Sequence, residues 1–112
     1  MADMPILDTK TKHGVTMSLH DFGQSVFEDY QLTTVKAAQA AFFQFGADGA
    51  GVSAQAHVRG VTVRTAIRLK IVSGVTLKEV NDLKPYVVDW MADEIKKHVT
   101  NVVTPPVDPA PN

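Results

Sequence analysis

Apolar and polar residues alternate most regularly in VTVRTAIRLKIV, residues 61–72. Val61, Val63, Thr65, Ile67, Leu69 and Ile71 interleave with Thr62, Arg64, Ala66, Arg68, Lys70 and Val72. A period of two in a run this rich in β-branched residues predicts a half-buried strand. The preceding VSAQAHV alternates likewise, with Val52, Ala54, Ala56 and Val58 on one side. A straight run through Gly60 would switch the apolar face. A two-residue turn at Arg59-Gly60 instead pairs Val58 with Val61 and keeps the apolar set together. The pattern therefore predicts a hairpin, 52–58/61–72, whose far end at 68–72 needs another partner. Further candidate strands are 14–19, where Val15, Met17 and Leu19 alternate with Thr16 and Ser18, and 38–45. In 38–45, Ala41, Phe43 and Phe45 alternate with Phe42 and Gln44, although the alanines and glutamines favour helix by propensity.

A period near 3.6 dominates the C-terminal third. Thr76 and Glu79 have the spacing of a capping box. Val80, Leu83, Val87, Met91, Ile95 and Val99 then recur every three or four residues. Pro85 suits the first turn of a helix, so a lead-in turn at 77–83 and a main helix over about 84–99 are expected. Ser18 with Asp21 is a candidate cap for an N-terminal helix carrying Leu19, Phe22, Val26, Phe27 and Tyr30 on one side, weakened by Gly23 and competing with the strand 14–19. The predicted fold class is α+β: an antiparallel sheet packed against the C-terminal helix, with the N-terminal helix nearby.

The ends differ from the middle. Residues 1–13 read as a flexible arm, 14–103 as a single α+β domain, and 104–112 as an extended tail with four prolines in TPPVDPAPN. The 112 residues, 45% hydrophobic and 21% charged, suit one globular domain. With no cysteine, thiol chemistry and Cys-ligated metals are excluded. The N-terminal residues do not resemble a secretory signal, and no apolar run reaches the ~20 residues of a spanning helix. A cytoplasmic protein without a transmembrane segment is expected. The formal net charge of −1 conceals a basic middle. Lys36, Arg59, Arg64, Arg68 and Lys70 face only Asp48 there, while both flanking regions are acidic.

Few residues suggest chemistry. GADGAG, residues 46–51, lacks the following helix and the lysine that phosphate-binding loops use. His13, His20, His57 and His98 have no metal-ligand spacing. No serine has a nucleophile-elbow context, and no cofactor is implied. On the expected strand, Arg64, Arg68 and Lys70 project opposite the apolar face, with Arg59 and His57 beside them. This candidate binding face, Arg59, Arg64, Arg68 and Lys70, suits an acidic protein surface or nucleic acid. It lacks aromatic residues for stacking bases. Arg68, Lys70 and Val72 mark the sheet edge where self-association is expected; the small-residue hairpin, in which 38–45 turns at GADGAG and returns as VSAQAHV, is a second such place.

These features favour a small non-enzymatic binding or assembly protein that forms a homo-oligomer, in the manner of a subunit of a larger particle. The alternatives are a nucleic-acid-binding or regulatory module and a membrane-active hairpin.

Overall fold

The computed structural model describes residues 4–45 and 52–105. Within them the chain is α+β, a three-stranded antiparallel sheet with four helices. The order is β1 (Ile6–Lys12), β2 (Val15–His20), α1 (Gln24–Phe45), α2 (Val52–Arg68), β3 (Val72–Ser73), α3 (Leu77–Asp82) and α4 (Pro85–Val103). Strand β2 is central, flanked by β1 and β3.

β1 and β2 form a hairpin closed by the Lys12–Val15 pair. The two turn residues, His13 and Gly14, have φ of 56° and 77°. Two positive values are what a tight turn needs to match the strand twist. Thus Ile6–Lys12, expected within a flexible arm, is a paired strand. An irregularity between Ile6 and Asp8 leaves Leu7 as the extra residue. The β2 expectation holds: Val15, Met17 and Leu19 are buried and line the core.

α4 also follows its sequence pattern. Thr76 Oγ1 accepts from the Glu79 N–H at 3.1 Å, and the Glu79 carboxylate accepts from the Thr76 N–H, capping α3. Pro85 opens α4, which buries Val87, Met91, Ala92, Ile95, His98 and Val99. Sheet and helix enclose the core with Phe22 and Tyr30 of the N-terminal segment and Val63, Ala66 and Ile71. Residues 106–112 of the proline-rich tail lie outside the described residues.

The hairpin 52–58/61–72 does not form. Residues 52–68 are helix α2, with Arg59 and Gly60 inside it, and Val58 does not pair with Val61. Residues 38–45 are not a strand but the distal part of α1. Alternation and helical spacing coexist in this sequence, and packing decides between them. As a helix, α2 buries Ala54, Thr62, Val63, Thr65 and Ala66 against α1 and α4. Thr62 Oγ1 donates to the Val58 carbonyl at 3.0 Å, so a β-branched polar residue is satisfied inside a helix. Tertiary burial overrides β propensity.

α2 ends through hydrogen bonds from Lys70 N to Ile67 O and from Ile71 N to Ala66 O. Lys70 sits at φ 62°. This is the Schellman arrangement, with a lysine where glycine is usual. The chain then enters β3, whose Ser73 and Val72 pair with Ser18 and Leu19 of β2.

Gly60 distinguishes the helix from the hairpin, and Gly74 reports on the turn after β3. A Cβ on Gly60 would meet the Arg64 guanidinium at 3.1 Å, the movable end of a long side chain. Gly60→Ala should stabilise the protein by about 0.5 kcal/mol through helix propensity, whereas a hairpin turn would be destabilised. Gly74 has φ 91°, and a Cβ there would lie 3.0 Å from the Thr16 carbonyl oxygen. Gly74→Ala should cost about 1–2 kcal/mol. Urea unfolding of both variants tests this; a loss of stability in Gly60→Ala would contradict the helix.

Candidate functional site

α1 has two apolar faces. The inner face presents Tyr30, Ala37 and Ala41, all buried, with Val26 and Phe27 partly buried. On the outer face Leu32, Val35, Gln39 and Phe42 recur at three- and four-residue spacing, with Phe43 alongside. Leu32 is 55% exposed, Val35 48%, Phe42 62% and Phe43 84%. In the distal half of the α1–α2 pair the normal order is inverted. Ala37, Ala41 and Ala54 are buried between the helices, while phenylalanines stand in water. Small residues let the helix backbones approach closely, but they remove little apolar surface from water. Phe42 and Phe43 meet edge to face at 6.0 Å, so part of their surface is shared.

The residues expected to form a basic stripe are spread around α2 and beyond it. Arg59 donates to Asp89 of α4 at 3.1 Å. Arg64 folds over Gly60 and lines a shallow groove with Val80, Leu83 and Asp89. Arg64 and Arg68 are four apart on a helix and share a side, whereas Arg59 does not. Arg68 occupies the last turn of α2, where its charge complements the helix dipole. His57 lies on the exposed side of α2. The strand that was to align these residues is absent. The expected association edge at Arg68, Lys70 and Val72 also changes form. Arg68 is helical, Lys70 is in the connection, and Val72 is buried in the short edge strand β3. The small-residue hairpin does not form either: its arms belong to α1 and α2, and its turn, 46–51, lies outside the described residues.

A second cluster joins parts of the chain that no local pattern links. His20, 5% exposed at the end of β2, places Nδ1 2.7 Å from the Met4 carbonyl oxygen. Its Nε2 is 2.6 Å from Ser73 Oγ. A carbonyl only accepts, so Nδ1 carries a proton and, in the neutral ring, Nε2 accepts from the serine hydroxyl. The His20 main-chain carbonyl accepts from His98 Nε2 at 2.7 Å. His20 and Ser73 line a cavity of about 480 Å³ with Lys70 and Lys78 on its wall. Fifty-three positions separate the serine from the histidine, and neither has a motif around it. Sequence spacing held no signal for this pair.

Among the described residues no group of three His, Asp or Glu side chains is placed to hold a metal ion. No helix among them is long and apolar enough to cross a membrane. On β1 the Thr9 N–H donates to Asp8 Oδ1 and, with Lys10 3.4 Å away, holds that carboxyl below its ordinary value. Burial raises the Tyr30 phenol above its ordinary 10.0. Comparison with protein-family models, with curated proteins and with solved structures finds no match to this chain.

Two measurements follow. An unfolded tyrosine loses its proton first, so above pH 10.0 the native state binds more protons than the unfolded one. The stability contributed by Tyr30 is therefore complete below pH 10.0 and is lost as pH rises through its folded pKa. Absorbance titration at 295 nm should show a late-ionising component that Tyr30→Phe removes. For the half-exposed Arg59–Asp89 pair, a cycle of Arg59→Gln and Asp89→Asn should give a coupling of about 0.2–1 kcal/mol. A coupling above about 2 kcal/mol would mean a desolvated pair and a different packing of α2 on α4.

Proposed function

We propose that this is a small cytoplasmic assembly protein that self-associates through the outer face of α1. The observation that carries this reading is the inverted α1–α2 pair, with alanines buried inside and Leu32, Val35, Phe42 and Phe43 exposed. Their three- and four-residue spacing is that of a helix seam which another helix fills. Gln39, midway along it, is the kind of polar position that fixes register.

The occupant best supported is a second copy running antiparallel. Glu28 lies on this outer face near one end, Lys36 borders its middle, and the distal end of α1 carries no charge. A parallel pair would set two Glu28 carboxylates side by side. An antiparallel pair places each beside the uncharged end of its partner. A 22-residue helix is about 33 Å long, so contact along this face alone falls at the small end of stable interfaces. Association is accordingly concentration-dependent.

The sheet edge is a poorer surface for the same purpose. β1 exposes Ile6 and Leu7, but Lys10, Lys12 and the irregularity at Leu7 all discourage strand addition. The subunit of a larger particle expected from composition would therefore assemble through helix packing, not by extending its sheet.

Sedimentation velocity over a concentration series tests the reading. The weight-average mass should rise from 12.2 kDa towards about twice that value. Leu32→Glu with Phe42→Glu should weaken association roughly a hundredfold while the circular dichroism spectrum stays unchanged. A wild type that stays monomeric at millimolar concentration sinks the proposal, as does a variant that associates equally well.

A further inference from the structure

Four features coincide around Ser73. Its hydroxyl is 2.6 Å from His20 Nε2. The other ring nitrogen, Nδ1, donates to the Met4 carbonyl at 2.7 Å, which fixes the tautomer and the plane of the imidazole. Both residues line the same cavity. Lys70 and Lys78 line it too, and among the described residues no acidic side chain does. From these we infer that Ser73 and His20 form a nucleophile and general-base pair acting on small carboxylic esters that bear an anionic group.

The geometry supplies a nucleophile, a base and a group that orients the base. A serine hydroxyl is a weak nucleophile until a base within hydrogen-bond reach accepts its proton. A base works best when a third group orients it, and the Met4 carbonyl has that place here. His20 is itself held at both backbone groups. Its N–H donates to Ile71 O at 2.8 Å and its carbonyl accepts from His98. The backbone that carries the imidazole is thus fixed to β3 and α4, and the ring is held by its own two bonds to Met4 and Ser73.

The cavity chooses the substrate. Ile67, Val72, Val75 and Leu77 give it an apolar wall, and its volume of about 480 Å³ admits a short acyl chain. Lys70 and Lys78 favour a carboxylate or phosphate on the same molecule. Lys70 adds a point of its own. It holds a left-handed conformation, φ 62°, at a position where glycine would be relaxed. The chain keeps a cation at the rim of this cavity despite that cost.

The reaction balances without any oxidant or metal. Ser73 Oγ attacks the ester carbonyl carbon while its proton passes to His20 Nε2. The tetrahedral intermediate collapses, the bond to the alkoxide breaks, and His20 returns the proton to the departing alcohol. Water then adds to the acyl-serine with His20 again as base. The carboxylate product leaves and Ser73 regains its proton.

The wild-type protein gives the decisive test. A fluorophosphonate probe should modify Ser73, with loss of fluoride, at least a hundredfold faster than the exposed Ser25 of α1, as read by peptide mass spectrometry. The same protein should hydrolyse the p-nitrophenyl monoester of succinate faster than p-nitrophenyl acetate. Ser73→Ala should abolish both signals, and His20→Gln should slow labelling about a hundredfold. Should Ser73 react no faster than Ser25 in the folded wild type, the inference is overturned and the pair is structural. Because that comparison is internal to the wild type, it stands even where the His20 variant fails to fold.

Discussion

At the centre of the molecule the His98 imidazole donates from Nε2 to the main-chain carbonyl of His20 across 2.7 Å. The two residues are 7% and 5% exposed. A carbonyl at the end of a buried strand has no neighbour in the ladder and must find a donor or forfeit roughly 1–3 kcal/mol. Here α4 supplies the donor. The same imidazole meets the Phe22 ring edge-on at 6.0 Å, so the segment leading into α1 packs against it as well. The consequences spread from His20. Its N–H holds Ile71 and so places β3, its ring reaches Met4 and Ser73, and its carbonyl fixes α4.

This connection compensates for a small sheet. β3 has two residues, of which only Val72 is buried, and most of β1 is exposed, so β2 contributes most of the sheet's buried face. Strands this few and this short do not hold together in water without something packed on them. α4 covers β2 with Met91 and Ile95 among the fully buried residues. At the other end of the hairpin, His13 meets Tyr86 and Trp90 of α4 at 5.0 and 6.0 Å. The sheet is pinned to one helix at its turn and at its far end, which sets the register of everything between.

The elements legible in the sequence were those decided by neighbours in the chain. Thr76 and Glu79 cap α3 whatever else is present, and the spacing from Val80 to Val99 admits only a helix. β2 was legible because Val15, Met17 and Leu19 alternate beside a glycine turn. α2 was not. In Val61–Ile71 the same residues satisfy a period of two and, through Thr62, Val63 and Ala66, a helical stripe. The strand pattern was the more regular, but it counted threonine and alanine as solvent-facing when they are the buried contacts. The propensity of Ala37–Ala41 for helix pointed correctly, and the apparent strand in 38–45 did not. The basic ridge failed with the strand that carried it. The Ser73–His20 pair was beyond reach for another reason: it exists only once β2 and β3 are in register.

α2 links the two features that local rules leave unexplained. Near its N-terminal end Ala54 packs in the alanine layer beneath the exposed outer face of α1, and near the other end Ile67 lines the Ser73 cavity. Thirteen residues of helix separate them, about 20 Å by helix rise. A partner helix laid along the distal part of α1 would therefore leave the cavity open, since the cavity is built from α2's other end, β3 and α3. The residue types at these two places do not follow from folding rules alone. A monomer would be better served by polar residues at Phe42 and Phe43, and a bare connection by glycine at Lys70. Each departure has a local cost, and under the two proposals made above each sits where a partner or a ligand would recover it. Because the two lie at opposite ends of one rigid helix, association and ester chemistry can each stand or fall without the other.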